Sequence, residues 1–238
     1  MVEGAKRDRF YANSALVMLA CVLLSFPFTY FGPVVTGSQH FPTFYHIHGA
    51  AFFTWIGLYA WQSHLVAAGR TARHLEFGLA GIALSGIMVP LGIIMAIAAI
   101  RRRMAAGDAH PFDVTLYNIV DITLFSAMMI AAIASVTRQP HWHRRFRFAA
   151  ALCLVGPAIS RWFIPLPQVF PFWDMGPNIL ADLFLIALAL HDRRKLVRIH
   201  PATLWAAAAL VPIHLAEPWL AGSAVWRAVA PGLLTLMS

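Results

Sequence analysis

The chain has 238 residues, of which 60% are hydrophobic and only 12% are charged, and its formal net charge is +8. An ordinary soluble domain holds roughly 25% charged residues, so this composition excludes that class and fits a chain whose solvent is the lipid bilayer. In such a chain the basic excess reflects Lys and Arg on cytoplasmic loops, so nucleic acid is not expected as a partner.

Seven apolar stretches follow one another along the sequence, separated by glycine and proline. A helix needs about 20 mostly apolar residues to cross the hydrocarbon core. Residues 1–238 are therefore predicted to form a single all-α domain, a bundle of seven transmembrane helices without a separate soluble domain. The predicted spans are 13–33, 46–67, 77–100, 114–136, 147–166, 176–192 and 202–221.

Basic residues predict the direction of the chain. Positive side chains concentrate on cytoplasmic loops, and 13 of the 18 lie on one side if the N-terminus is cytoplasmic. With this orientation, residues 222–238, which are apolar but too short to cross the membrane, are predicted at the outer face. Arg101 to Arg103 are also predicted at the outer face and are an exception to the concentration of basic residues on the cytoplasmic side. The 13 are Lys6, Arg7, Arg9, Arg70, Arg73, Arg138, Arg144, Arg145, Arg147, Arg193, Arg194, Lys195 and Arg198.

Polar side chains recur in the outer half of five predicted spans. Ionisable groups at membrane depth are costly and mark functional sites, and the pairs within three of these spans are spaced i, i+3 or i, i+4, which puts both members on one helical face. The set is His46 and His48, Asn118 and Asp121, Arg161, Asn178 and Asp182, and His214 and Glu217.

The leading hypothesis for this set is a metal-dependent hydrolase of a lipid-like substrate. Zinc or iron, bound by histidine and carboxylate, would activate a water at an open coordination position. Acid–base residues and a cation that orients a carboxylate or a substrate anion would complete the site. The candidate metal ligands are His46, His48, His214 and Asp182, and the candidate catalytic residues are Asp121, Asp182, Glu217 and Arg161.

Three other interpretations use the same residues. The first is a redox or quinone-interacting protein that binds haem b, with His46 or His48 and His214 as axial ligands and Arg161 facing a propionate. The second is a proton or ion path in a transporter or assembly factor without a cofactor. The third is structural: Arg161 forms a buried ion pair with Asp182 or Asp121 that fixes the helix register.

Two loops on the predicted cytoplasmic side share a pattern. His74 and His143 each come just before a predicted helix, near arginines, and each is followed three residues later by a phenylalanine. Because helix N-termini attract anions, lipid phosphate is the expected ligand of these loops. A second cofactor site that uses His64, His74 or His143 is the alternative.

Residues 44–230 resemble a group of uncharacterised bacterial seven-helix membrane proteins. The resemblance implies a shared fold in a bacterial inner membrane and brings no activity with it. A looser, architectural likeness is to the ceramidase-like and progestin-receptor-like seven-helix hydrolases, which hold zinc with histidines and an aspartate, but the ligand order of those proteins is not reproduced here. The motifs that carry the first resemblance are His46-x-His48 with Trp55, Gln62, Leu65, Arg70, His74 and Gly78, then Pro140-x-x-His143-Arg144-Arg145, Gly156-Pro157-Ala158-x-x-Arg161, Ala181-Asp182-Leu183 and His200-Pro201-Ala202-Thr203-Leu204-Trp205.

Overall fold

A computed structural model describes residues 8–166 and 173–237, and every regular element in these two ranges is helical. Each of the seven apolar stretches is helical in its described residues. Lys6 and Arg7, used above to predict the orientation, lie outside the described residues. The helices are α1 (Phe10–Ser25), α2 (Gly32–Thr36), α3 (Thr43–Ala67), α4 (Thr71–Ala105), α5 (Thr115–Ser135), α6 (Pro140–Phe163), α7 (Gly176–Leu196), α8 (Pro201–Ala221) and α9 (Ala224–Val229), with a π-helical turn at Pro27–Phe31 and a 3-10 segment at Ala230–Met237.

Five helical segments in the described ranges are long and apolar enough to cross a membrane: Phe10–Thr36, α4, α5, α6 and α8. Their outward faces carry large apolar side chains, such as Phe28 and Leu79, which are 91% and 73% exposed. Exposed apolar faces of this kind need a lipid environment. The chain is therefore a multi-pass membrane protein. Helices α3 and α7 are not among the segments that meet this requirement of length and apolar composition.

The helix boundaries follow from proline and glycine. Pro140 occupies the first position of α6, where its missing N–H costs nothing. Gly69 ends the turn after α3 and Gly107 the turn after α4, both with positive φ, 77° and 71°, which glycine adopts without strain. The bundle thus has a Gly69 end and a Gly107 end. Helices α4 and α6 continue through Pro90 and Pro157.

Helix α6 is the centre of the bundle, since it packs against α1, α5, α7 and α8. Its stretch 148–156 is buried along its whole length and consists largely of small residues. Small side chains let helices approach closely where the lipid provides no hydrophobic driving force. A helix buried on all sides can present polar groups to several neighbours, and α6 does so near both of its ends.

At the Gly69 end α6 carries a buried ion pair that sequence analysis missed. The sequence predicts Arg144, Arg145 and Arg147 on the cytoplasmic connection at the start of the fifth span, 147–166, but α6 begins at Pro140, so all three lie in its first turns. The guanidinium of Arg145 and the carboxylate of Asp192 on α7 pair with both side chains fully buried. Asp192 also accepts from Thr203 Oγ1 at 2.5 Å and from the His200 N–H at 3.1 Å. This network joins α6, α7 and α8.

At the Gly107 end the C-terminal segment packs against the α4–α5 connection. Trp226 Nε1 donates to the Phe112 carbonyl at 2.9 Å, and Arg227 pairs with Asp113 at 2.6 Å. Helix α9 and the 3-10 segment are too short to cross a bilayer. The segment therefore lies at one end of the bundle, as its length predicted.

The run Arg101 to Arg103 lies in the last turns of α4, beyond the predicted end of that span. Cations are favourable at a helix C-terminus, and two of these side chains are anchored: Arg103 pairs with Asp108 at 2.7 Å, and Arg102 donates to the Tyr45 hydroxyl at 2.6 Å. The His110 N–H and the Arg103 guanidinium together hold the pKa of Asp108 below its ordinary value. These contacts hold Arg102 and Arg103 at the end of α4, outside its apolar part.

Candidate functional site: the Arg161 cavity

A cavity of about 660 Å³ opens at the Gly107 end between the π-helical turn Pro27–Phe31 and helices α3, α4, α5, α6 and α7, and we call it the Arg161 cavity. Cavities that bind small molecules have volumes of roughly 300–1,000 Å³ and mostly apolar walls with a few polar groups. Its polar lining includes His48, Asn118, Asp121, Arg161 and Asn178. Its aromatic walls include Phe26, Tyr30, Phe41, Tyr45, Phe52, Phe53, Tyr117, Phe125, Phe163 and Trp173.

Arg161, in the last turn of α6, lines this cavity without a counter-ion. Its guanidinium donates to the Pro157 carbonyl one turn back and lies 4.1 Å from the centre of the Phe26 ring. Among the described residues no carboxylate lies within 4.0 Å of it, so the predicted ion pair with Asp182 or Asp121 is not formed. A half-buried cation held by a ring and a carbonyl retains N–H groups that can bind an anion.

Of the two histidines in the first turns of α3, His48 lines the cavity and His46 does not. His46 is exposed, and its Nδ1 lies 2.6 Å from the Tyr30 hydroxyl. His48 is half-buried, with its ring 6.3 Å from that of Phe52. The spacing i, i+2 turns the two side chains about 200° apart on a helix, so only one of them can face the bundle.

Asp121 supplies a carboxylate to the cavity from α5 and is only 8% exposed. No hydrogen-bond donor or cation within bonding distance of this carboxylate is found among residues 8–166 and 173–237. Asn118, three residues earlier, lines the same wall, as the i, i+3 spacing predicted. Since a charged carboxylate is costly in an apolar bundle without a partner, Asp121 is suited to carry a proton.

Asn178 connects the cavity to α8. Its Nδ2 donates to Glu217 Oε2 at 2.5 Å, and the Glu217 side chain is fully buried. A Cβ added at Gly156 would lie 2.7 Å from Asn178 Oδ1, so the absence of a side chain there allows α7 to approach α6. Gly156 therefore leaves the space in which the Asn178 amide reaches Glu217.

A second polar pair lies one turn away on the same two helices. His214 Nδ1 and Asp182 Oδ1 are 2.9 Å apart, and His214 is buried. His214 Nε2 and Glu217 Oε1 are both buried without a hydrogen-bond partner in the part of the chain that the structure describes. Next to Asn178 at the cavity wall, α7 and α8 thus hold three groups that can accept and release protons: Asp182, His214 and Glu217.

The predicted metal site is not assembled. Within residues 8–166 and 173–237 no group of three His, Cys, Asp or Glu side chains could hold a metal ion. The four predicted ligands are distributed over three places: His46 contacts Tyr30, His48 faces the cavity, and His214 pairs with Asp182. Among the described residues, the four candidate ligands therefore do not form a metal site.

The haem interpretation depends on the same histidines. His214 has one ring nitrogen engaged by Asp182, and His46 is exposed, bonded to Tyr30. His48 is the one proposed axial ligand that lines the cavity. In the described part of the chain these three histidines therefore have different neighbours, and the haem interpretation stays a prediction.

Sequence reasoning found five polar residues of the cavity lining and missed others, such as Gln39, Arg102 and Asp174, together with its aromatic walls and supports. The spacing of acids, amides and histidines led to Asp121, Arg161, Asn178 and Glu217. The ring of Phe26 under Arg161 and the role of Gly156 left no such signal, because each depends on contacts between separate helices. Comparison with family models, with curated proteins and with solved structures gives no match for this chain.

Proposed function

We propose that this chain crosses the membrane seven times, with its N-terminus in the cytoplasm of a bacterium and the Gly107 end outside. The two additional crossings are α3 and α7, whose 25 and 21 residues are long enough for about 30 Å of hydrocarbon. Both expose apolar faces: Ile47 and Val66 on α3, Ile186 and Leu190 on α7. The basic residues of the connections at the Gly69 end support the direction.

We further propose that the Arg161 cavity binds a lipid-like molecule with an anionic head. The observation that carries this proposal is the arginine itself, a cation in the cavity wall with no carboxylate partner among the described residues. Aromatic walls match an apolar tail, and hydrogen bonds from a guanidinium to an anion are among the strongest in proteins. His48 and Asn118 add hydrogen-bonding groups beside the head.

Catalysis through a metal forms no part of this proposal, because the candidate ligands are not brought together. Without a metal, the role we give to the carboxyl groups of Asp121 and Glu217 is to hold protons near the bound head. Asp121 lies in the cavity, and Glu217 is linked to it through Asn178. We propose that the carboxyl groups of Asp121 and Glu217 are protonated, and therefore neutral, when an anionic head is bound.

The proposal is tested by identifying what co-purifies with the protein. Wild type and Arg161→Met are purified in a mild detergent, extracted with organic solvent and analysed by mass spectrometry against a matched control, Arg138→Met, at an exposed position. We expect an anionic amphiphile near stoichiometry in wild type and control and its loss in Arg161→Met. Equal amounts in all three proteins would refute the proposal.

A second candidate is binding of a quinone, favoured by the aromatic walls together with the buried polar chain on α7 and α8. The titratable groups of this chain, Asp182, His214 and Glu217, can hold protons near a bound quinone, and Asn178 links Glu217 to the cavity. The same extraction distinguishes the two candidates, since a quinone is neutral and absorbs in the ultraviolet. A quinone retained by Arg161→Met would favour this second function.

A further inference from the structure

Unpartnered buried polar atoms gather at the opposite end of the bundle, away from the Arg161 cavity. Seven of the eleven such atoms found among the described residues belong to α1, α3, α4 and α6 near the Gly69 end. Buried polar groups almost always have a partner, so a concentration of exceptions points to a site. The residues that carry them are Tyr11, Tyr59, Gln62, His74, Arg144 and Arg147, which we call the Arg147 cluster.

Two arginines of α6 form the centre of this cluster. The Arg144 guanidinium lies 4.9 Å from the centre of the Tyr11 ring, and that of Arg147 lies 5.5 Å from the centre of the Tyr59 ring. The spacing i, i+3 puts both on one face of α6, and their Nε atoms are buried without a hydrogen-bond partner. No carboxylate pairs with either arginine within residues 8–166 and 173–237.

Gln62 is the most deeply buried residue of the Arg147 cluster. It is 2% exposed, and neither its amide nitrogen nor its amide oxygen has a partner among the described residues. Gln62 lies three residues beyond Tyr59 on α3, hence on the face that meets Arg147. A buried amide without partners is costly, so this position is explained by a ligand that bonds to it.

Histidines border the cluster on the side of the Gly69 end. Arg147 lies within electrostatic range of the rings of His74 and His143. His143 Nδ1 donates to the Ala132 carbonyl at 2.8 Å, which fixes its ring, while His74 Nδ1 is buried and unpartnered. The neighbouring Arg145 is already neutralised by Asp192, so the free positive charge of the region belongs to Arg144 and Arg147.

We propose that the Arg147 cluster is a binding site for a phosphate group, supplied either by an anionic phospholipid or as free phosphate. A phosphate oxyanion accepts hydrogen bonds from guanidinium, amide and phenol groups together, which matches the donors left open here. The first turn of α6 adds the positive end of its helix dipole. This site is separate from the Arg161 cavity and does not rest on the function proposed for it.

The test measures thermal unfolding of the full chain in nonionic detergent. Two probes are titrated at constant ionic strength: sodium phosphate against sodium chloride, and phosphatidylglycerol against phosphatidylcholine in the micelles. We expect one of the two phosphate probes to raise the unfolding midpoint by about 5 °C at saturation. Inorganic phosphate alone identifies a soluble source, and a response confined to phosphatidylglycerol identifies a lipid headgroup.

Three variants locate the response. Arg147→Gln should weaken binding by roughly 10- to 100-fold, whereas Arg194→Gln removes the same charge from an exposed position and should bind normally. Gln62→Met keeps the volume and removes the unpartnered amide, so it should fold at least as well as wild type and lose most of the response. The inference is overturned by no response to either probe, or by a full response in Arg147→Gln or Gln62→Met.

Discussion

Helix α6 carries the fully buried Arg145 near one end and the half-buried Arg161 near the other, and the two have opposite environments. Arg145 meets the carboxylate of Asp192 and donates to the His141 carbonyl at 2.8 Å, with no exposure to solvent. Arg161 faces a cavity and has a carbonyl and an aromatic ring in place of a carboxylate. The first arrangement is complete within the protein and holds three helices together. The second leaves charge unpaired, which is the arrangement expected of a binding site.

Breaking the complete pair should have the largest effect. Arg145→Met leaves the Asp192 carboxylate buried without its cation, which typically costs about 3–5 kcal/mol of unfolding free energy. The double variant Arg145→Met with Asp192→Leu should regain most of this loss, since no charge then remains buried. Chemical unfolding in detergent measures both. Equal stability of Arg145→Met and Arg161→Met would show that the two arginines do not differ as described.

Gly156 tests whether close approach of α6 and α7 positions the polar groups near Arg161. Gly156→Ala puts a methyl group 2.7 Å from Asn178 Oδ1, so Asn178 must shift away from Glu217, at a cost of roughly 1–3 kcal/mol. The matched control is Gly86→Ala, where an added Cβ meets nothing within 4 Å. Thermal unfolding should separate the two variants, and identical midpoints would contradict the role given to Gly156.

Arg161→Met should change the unfolding free energy by less than about 1 kcal/mol, because no carboxylate loses a partner. Its ligand content should nevertheless fall, as the extraction experiment measures. A small effect on stability combined with a large effect on binding is the signature that separates Arg161 from Arg145. A loss of several kcal/mol in this variant would instead assign Arg161 a structural role.

The smallest effect is expected at the edge of the Arg145 network. The neutral ring of His200 accepts from the Ala202 N–H at 3.1 Å and caps α8, and desolvation lowers the pKa of this histidine, with Arg145 acting in the same direction. The pKa of His200 is therefore lower in the folded state than in the unfolded state. The stabilisation from the cap is present at pH values above the pKa of the unfolded state, and it is lost as the pH falls through the pKa of the folded state.

Serine is an effective N-cap residue, and its hydroxyl does not titrate between pH 5 and pH 7. The variant His200→Ser therefore keeps a cap on α8 at both pH values. The unfolding midpoint of this variant should therefore fall less than that of wild type between pH 7 and pH 5. The measurement is thermal unfolding at both pH values. Parallel pH dependence in the two proteins would contradict this account of the cap.

The sequence predicts the helical segments well because apolar length and glycine or proline punctuation act locally. The start of α6 is the clearest error: the helix begins at Pro140, seven residues before the predicted span, and Arg145 is buried there because it pairs with Asp192 on another helix. That pairing spans 47 residues and has no local signal. Similarly, spacing on α7 and α8 found four polar residues, but their pairing, Asn178 with Glu217 and Asp182 with His214, is decided by helix packing.

The central claim is that Arg161 selects an anionic head in its cavity. The most direct test compares the affinities of palmitate and hexadecanol, which share a chain length and differ in head charge, by displacement of a fluorescent fatty acid from wild type and Arg161→Met. We expect wild type to prefer the carboxylate by at least about tenfold and the variant to show no preference. A wild type that binds both equally, or a variant that keeps the preference, would contradict the claim.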